Sequence, residues 1–211
     1  MGLKNRREKE KEQRKKAILK AARKLFIKKG FTTVTVANIA KKADLSKGAI
    51  YLYFSSKEEI CVQILLDEIE RFHQQVAHLF SNDKTAAEVL SDFSTSYINF
   101  FLNDRELFKI LMSFMLHNGS LNFTDETDKR IIHETNMAIS VTERVFRYGI
   151  DRGEFFIKEH EVISMRNALW GFLNGVLSLH LFTGRKSMRE ERIRNNIEEG
   201  LRVFIEGLKK S

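Results

Sequence analysis

Nine consecutive residues, Ser46-Lys-Gly-Ala-Ile-Tyr-Leu-Tyr-Phe54, combine a cation, two phenols and two very small side chains, with no acid among them. The spacing predicts a short helix over 47–53 with Ser46 as its N-cap. Ile50 and Phe54 then lie on one side, and Lys47, Gly48, Ala49, Tyr51, Leu52 and Tyr53 on the other. Such a face suits the edges of base pairs. Lys47 can donate to guanine O6 or N7, and the Ala49 methyl can meet a thymine methyl. Gly48 and Ala49 keep the helix slim enough to enter a major groove about 12 Å wide. The hydroxyls of Tyr51 and Tyr53 can donate to phosphates. Thr35 and Lys57 begin the flanking helices, whose free N–H groups also favour phosphate.

The elements that must hold this face are helical. A helix over 36–43 follows Thr35, and only Asp44-Leu45 separates it from Ser46, the pattern of a helix-turn-helix. Val36, Ile39, Ala40, Ala43, Leu45, Ile50 and Phe54 fill the angle, and the small Ala40 and Ala43 permit close approach. A plain helical hairpin inside a bundle gives the same pattern. A first helix over 10–29 carries the stripe Ile18, Ala21, Ala22, Leu25 and Phe26, and ends at Gly30 after Lys28 and Lys29. Residues 4–16 are almost wholly charged. They read as a helical extension, with Glu8 on Lys11 and Glu12 on Lys15 or Lys16, or as a disordered arm reaching phosphates. A fourth helix over 56–80 starts with the capping box Ser56-x-x-Glu59.

Residues 1–60 hold 17 Lys and Arg against 6 Asp and Glu, and the rest holds 19 against 22. A basic head on a nearly neutral body suits a polyanion, although a solvated basic surface looks the same. The 211 residues, 43% hydrophobic, allow one large or two small folded domains. With no proline and no strand-like alternation, the expected class is all-α. One cysteine, Cys61, rules out an intramolecular disulfide and fits a reducing cytoplasm; on the fourth helix it reads as a small core residue. No apolar run approaches the roughly 18 residues of a membrane span, and the charged N-terminus is no secretory signal.

Residues 18–64 resemble the DNA-binding domain of TetR-family (tetracycline-repressor-like) regulators. The matching pieces are Ala22-Arg-Lys-Leu-Phe26, Lys29-Gly-Phe31, Thr35 with Ile39-Ala40, the Ser46–Phe54 run, and Ser56-Lys-Glu-Glu59. The remainder resembles the family only in helix number and length. Asp44 stands where the family usually has glycine; Asp tolerates the left-handed conformation better than most residues. The resemblance implies an all-α fold of nine or ten helices and a homodimer. It also implies a palindromic operator in double-stranded DNA, read by two recognition helices about one turn apart, and a repressor released by a small-molecule effector. By the same resemblance Lys47, Gly48, Ala49 and Tyr51 lie nearest the bases, and Thr35, Ser46, Tyr53 and Lys57 hold phosphates. Residues 1–55 would form the DNA-binding domain and 56–211 the effector-binding and dimerisation domain.

Further helices are expected at 84–102, 105–117, 125–152, 159–183 and 188–208, punctuated by Gly119, Gly153 and Gly184. The last two carry the candidate dimer stripes Val162, Met165, Leu169, Phe172, Val176, Leu179 and Ile193, Ile197, Leu201, Phe204, Leu208, with Gly171 and Gly175 for close crossing. Packing within the chain is the alternative. Phe72, Tyr97, Met112, Met115, Asn136, Trp170 and Asn174 are the candidate ligand-binding residues: apolar walls with a few polar groups, or a core whose polar groups satisfy one another. No catalytic residue, cofactor or metal is expected. The six histidines lack the H-x3-H and H-E-x-x-H spacings, and no G-x-S-x-G occurs. The expected function is a DNA-binding repressor released by a ligand. The alternatives are a regulator or nucleoid-associated factor without an effector, and a helical enzyme or carrier with an incidental basic head.

Overall fold

Without proline, every backbone N–H can reach the carbonyl four residues back, and the chain uses this almost throughout. The computed structural model describes residues 3–81, 83–117, 125–182 and 186–209, and all regular structure among them is helical. In order these are α1 (Leu3–Lys29), α2 (Val36–Ala43), α3 (Lys47–Tyr51), α4 (Lys57–Ala77), α5 (Ala86–Asn103), α6 (Arg105–His117), α7 (Asp125–Asp151), a 3-10 turn (Glu159–Glu161), α8 (Val162–Phe182) and α9 (Lys186–Leu208). The breaks expected at Gly119 and Gly184 lie outside the described residues.

One compact unit comprises Met1–Glu68 with Asp104–His133. Ile18, Ala22 and Phe26 of α1 are fully buried beside Ile39, Ile50 and Ile60. Gly30 stops α1 at φ +79°, its N–H 2.8 Å from the Phe26 carbonyl. The helix begins at Leu3, well before residue 10, and the i,i+4 pairs Glu10–Arg14 (2.8 Å) and Glu12–Lys16 (3.9 Å) support its outer turns. Arg23 of α1 donates through Nε to Asp104 Oδ2 at 3.1 Å and pairs with Glu68 of α4. Asp104 also accepts the Leu107 N–H at 3.1 Å, which caps α6.

Cys61 is fully buried in this unit. Burial, reinforced by Glu58, pushes its thiol up to about 12, so almost no thiolate exists near neutrality. The folded protein should leave a thiol reagent such as DTNB unreacted, and unfolding should release one equivalent. Prompt titration of the folded protein would show instead that the α4 core opens readily.

The second unit comprises Ile69–Asn103 with Glu134–Ser211. Its core takes Leu90, Phe93 and Phe101 from α5, Val145 and Phe146 from α7, Leu169, Leu173 and Leu177 from α8, and Ile193 and Ile197 from α9. This corrects the assignment of the α9 stripe to a dimer face. Ile193, Ile197, Leu201 and Leu208 are at most 4% exposed, covered by their own chain. The α8 stripe divides: Val162 and Leu169 point inward, whereas Leu179 is 70% exposed. The close helix crossing within the unit belongs to Gly200, where a Cβ would fall 2.3 Å from the Phe172 ring. Gly171 and Gly175 are exposed, and a Cβ on either meets nothing within 4 Å.

Candidate nucleic-acid interface

The helix-turn-helix is built by three local devices. Thr35 caps α2: its Oγ1 accepts the Asn38 N–H at 3.2 Å, while Asn38 Oδ1 accepts the Thr35 N–H at 3.0 Å. Asp44 turns the chain in the left-handed region, φ 56° and ψ 46°, and the following Leu45 N–H closes on the Ala40 carbonyl at 3.0 Å. Ser46 caps α3 by accepting the Ala49 N–H at 3.1 Å. α3 stops at Tyr51 rather than Tyr53, because the N–H groups of Tyr53 and Phe54 both turn back to the Ile50 carbonyl, at 2.9 and 3.1 Å. The capping box of α4 is shifted by one residue. Ser56 Oγ accepts the Glu59 N–H at 3.0 Å, but the Glu59 carboxylate accepts from the Ser55 N–H at 2.6 Å.

This scaffold divides the segment into two sides. Ile50 and Phe54 are buried, whereas Thr35, Ser46, Lys47 and Gly48 are exposed and Ala49 and Tyr53 half-buried. Tyr51 is 48% exposed, and the Lys47 ammonium lies 5.8 Å from its ring centre, a contact that brings cation and phenol together. Leu52, 78% exposed, extends the same surface with an apolar tip. Gly48 is the informative residue. A Cβ there meets only Ser46 Oγ, at 3.9 Å, and its backbone is not in the left-handed region. The protein's own fold therefore does not require glycine at this position.

Lys57 is the member of the set that turns inward. Its Nζ donates to the Phe31 carbonyl at 3.0 Å and stands 4.3 Å from the Phe31 ring centre. It braces the turn after α1, and among the described residues this is the one hydrogen bond made by an ammonium that can donate three.

In the second unit the structure brings four of the candidate ligand residues together. Tyr97 lies 5.9 Å from Phe72 and 4.7 Å from Trp170, ring centre to ring centre, and its hydroxyl donates to Asn174 Oδ1 at 2.6 Å. Burial holds the Tyr97 phenol well above its ordinary range, the Asn174 bond opposing this. Trp170 Nε1 donates to Thr142 Oγ1 at 3.2 Å. Asn136 does not join them. It is exposed, as are Ile132 (51%) and Met137 (41%), so this candidate faces outward. Met112 is half-buried in the first unit, and the Met115 side chain lies outside the described residues. Thr135, which no pattern in the sequence singles out, has its Oγ1 buried with no hydrogen-bond partner among the described residues. It stands seven residues before Thr142, on the same face of α7.

Comparison with known proteins adds to this geometry. Residues 18–64 match the family described as bacterial regulatory proteins, tetR family. The HTH-type transcriptional regulator QacR of Staphylococcus aureus is 25% identical over 203 residues, 93% of this chain and 98% of its own. The TetR family transcriptional regulator PfmR from Thermus thermophilus superposes with a TM-score of 0.69 at 26% identity, over 92% of this chain and 99% of its own. FadR from Bacillus subtilis, solved with stearoyl-CoA, shares the fold with a TM-score of 0.70 at 19% identity, over 90% and 97%. Coverage varies: one Bacillus subtilis regulator, 29% identical, is matched over only 46% of its length.

Proposed function

The chain belongs to the TetR family of bacterial transcriptional regulators, and from that premise we propose that it is a ligand-released repressor acting as a homodimer on a palindromic operator. As a transcriptional regulator it is not an enzyme. The observation that carries the reading is Gly48, a glycine its own fold does not need, on a face with Lys47, Ala49 and Tyr51. A slim helix gains from that economy only where something approaches it closely, and a base-pair edge is such a partner. In this reading residues 1–55 hold the DNA, with Thr35, Ser46 and Tyr53 on phosphates, and Lys57, just past that boundary at the start of α4, adds a further phosphate contact. Residues 56–211 carry the effector and dimer functions.

Binding-site selection from random duplexes at a fixed, stated salt concentration tests it. The expected product is a palindrome with half-sites about one helical turn apart. An enriched site without symmetry would overturn the dimeric reading, and no enrichment would overturn DNA recognition.

Dimerisation is assigned to the outward sides of α8 and α9, where Ile163, Leu179 and Val203 are 53–70% exposed and Gly171 and Gly175 lie open. Gly171→Arg should give a folded monomer by light scattering. A variant that stays dimeric would move the interface elsewhere.

The effector is assigned to the Phe72, Tyr97, Trp170 and Asn174 cluster. FadR, which shares the fold, was solved with stearoyl-CoA, so that compound is the first probe. Trp170 emission should change on binding, with release from the operator. A ligand shifts the equilibrium only by preferring one state, here one tilt of α4. A second reading, regulation without any effector, is favoured by the bonds Tyr97–Asn174 and Trp170–Thr142, which satisfy these polar groups internally.

A further inference from the structure

Residues 5–14 of α1 are all exposed, yet the helix runs through them unbroken. The run is about 15 Å long at 1.5 Å per residue. Its register is set by the buried half of the same helix. At 3.6 residues per turn, Arg7, Lys11 and Lys15 fall on the side that farther along carries Ile18, Ala22 and Phe26. The face that is apolar against the domain core becomes cationic where it leaves that core. The neighbouring acids are drawn to the flanks, Glu10 to Arg14 at 2.8 Å and Glu12 to Lys16 at 3.9 Å. Glu8 is the acid that remains on the cationic side. Among the described residues, Arg7 and Lys11 form no ion pair. The stripe begins beside the recognition segment, for the Lys15 ammonium lies 5.8 Å from the ring centre of Phe54, the residue that follows Tyr53.

We propose that the N-terminal extension of α1 is a second DNA contact, which lays Arg7, Lys11 and Lys15 along the phosphates flanking each half-site. The proposal rests on the DNA-binding reading above. Duplex DNA carries one charge per about 1.7 Å of axis, so a helix of this length spans several phosphates. A contact of this kind adds affinity and salt dependence without sequence preference.

The test uses the full chain with Arg7→Gln, Lys11→Gln and Lys15→Gln together, since glutamine keeps helix propensity, and circular dichroism checks that the helix content persists. Binding to the selected operator and to a random duplex is measured across a salt series. The slope of log K against log salt should become shallower by roughly 2–3, about 0.9 for each phosphate that is no longer neutralised. Both duplexes should weaken by the same factor, and Glu8→Gln alone should strengthen both. An unchanged slope in the triple variant, beside normal operator binding, would overturn this contact and leave the regulator reading standing. Weakening confined to the operator would also overturn it, because the residues would then read sequence. So would loss of adhesion to phosphatidylserine vesicles with no change on DNA. A wild-type protein that ignores every duplex would remove both readings.

Discussion

Gly48→Glu should cost operator affinity about ten- to a hundredfold, the scale of one good base contact worth roughly 1–3 kcal/mol, while the protein melts no lower than its parent. The two halves of this result have separate causes. Inside the protein the new side chain displaces nothing, since a Cβ at Gly48 meets only Ser46 Oγ at 3.9 Å. Glycine also costs a helix about 1 kcal/mol relative to alanine, and an acid in the first turn suits the helix dipole. In the proposed DNA complex the same side chain should push the helix out of the groove and set a carboxylate among phosphates. Gly48→Ala isolates the steric part and should show a smaller loss of binding with a small gain in stability. Parent-like operator affinity in the glutamate variant would mean that α3 meets DNA through another side, or does not meet it.

Arg23→Met should destabilise the protein by about 2–4 kcal/mol, at the low end of what breaking a buried ion pair costs. Arg23 serves two carboxylates at once: Asp104, whose side chain is 5% exposed, and Glu68, 15% exposed. Removing the cation leaves both in a largely dry place, although Asp104 keeps the Leu107 N–H. The cost falls below that of a fully buried pair because the Arg23 side chain is itself 29% exposed. Arg23→Lys should recover only part of the loss, since one ammonium cannot reproduce two directed guanidinium contacts. Adding Glu68→Gln and Asp104→Asn to Arg23→Met should restore most of it. Urea unfolding of the set is the measurement. A single variant as stable as its parent would show that water already screens these charges.

The helices were legible because their signals are local. The stripe Ile18, Ala22, Phe26, the caps Thr35 and Ser46, and Gly30 each act within one or two turns, and each stands where its residue type placed it. Asp44 was legible for the same reason, as a departure from glycine that the left-handed turn still accommodates. What failed was the identity of the neighbour. Periodicity says that α9 has an apolar face, but not that its own chain covers Ile193 and Ile197. Tyr97 and Asn174 stand 77 residues apart, and Lys57 and Phe31 26 apart, so no local pattern announces either bond. Asn136 shows how narrow the margin is on a helix. It faces out while Thr142, six residues on, is fully buried, because six residues turn a helix through more than half a revolution beyond one full turn. Gly171, Gly175 and Gly200 look alike as letters, and only the Phe172 ring distinguishes the last.

Because its sole cysteine is sealed in the α4 core, the protein is a blank canvas for site-directed spectroscopy. Lys28→Cys, on an exposed turn of α1, would offer one accessible sulfur per subunit for a nitroxide or a fluorophore, with no need to strip out a native one first. In the proposed dimer two such probes would report the span between the heads directly, so the proposed operator-bound and effector-bound forms should appear as two separations of one spin pair.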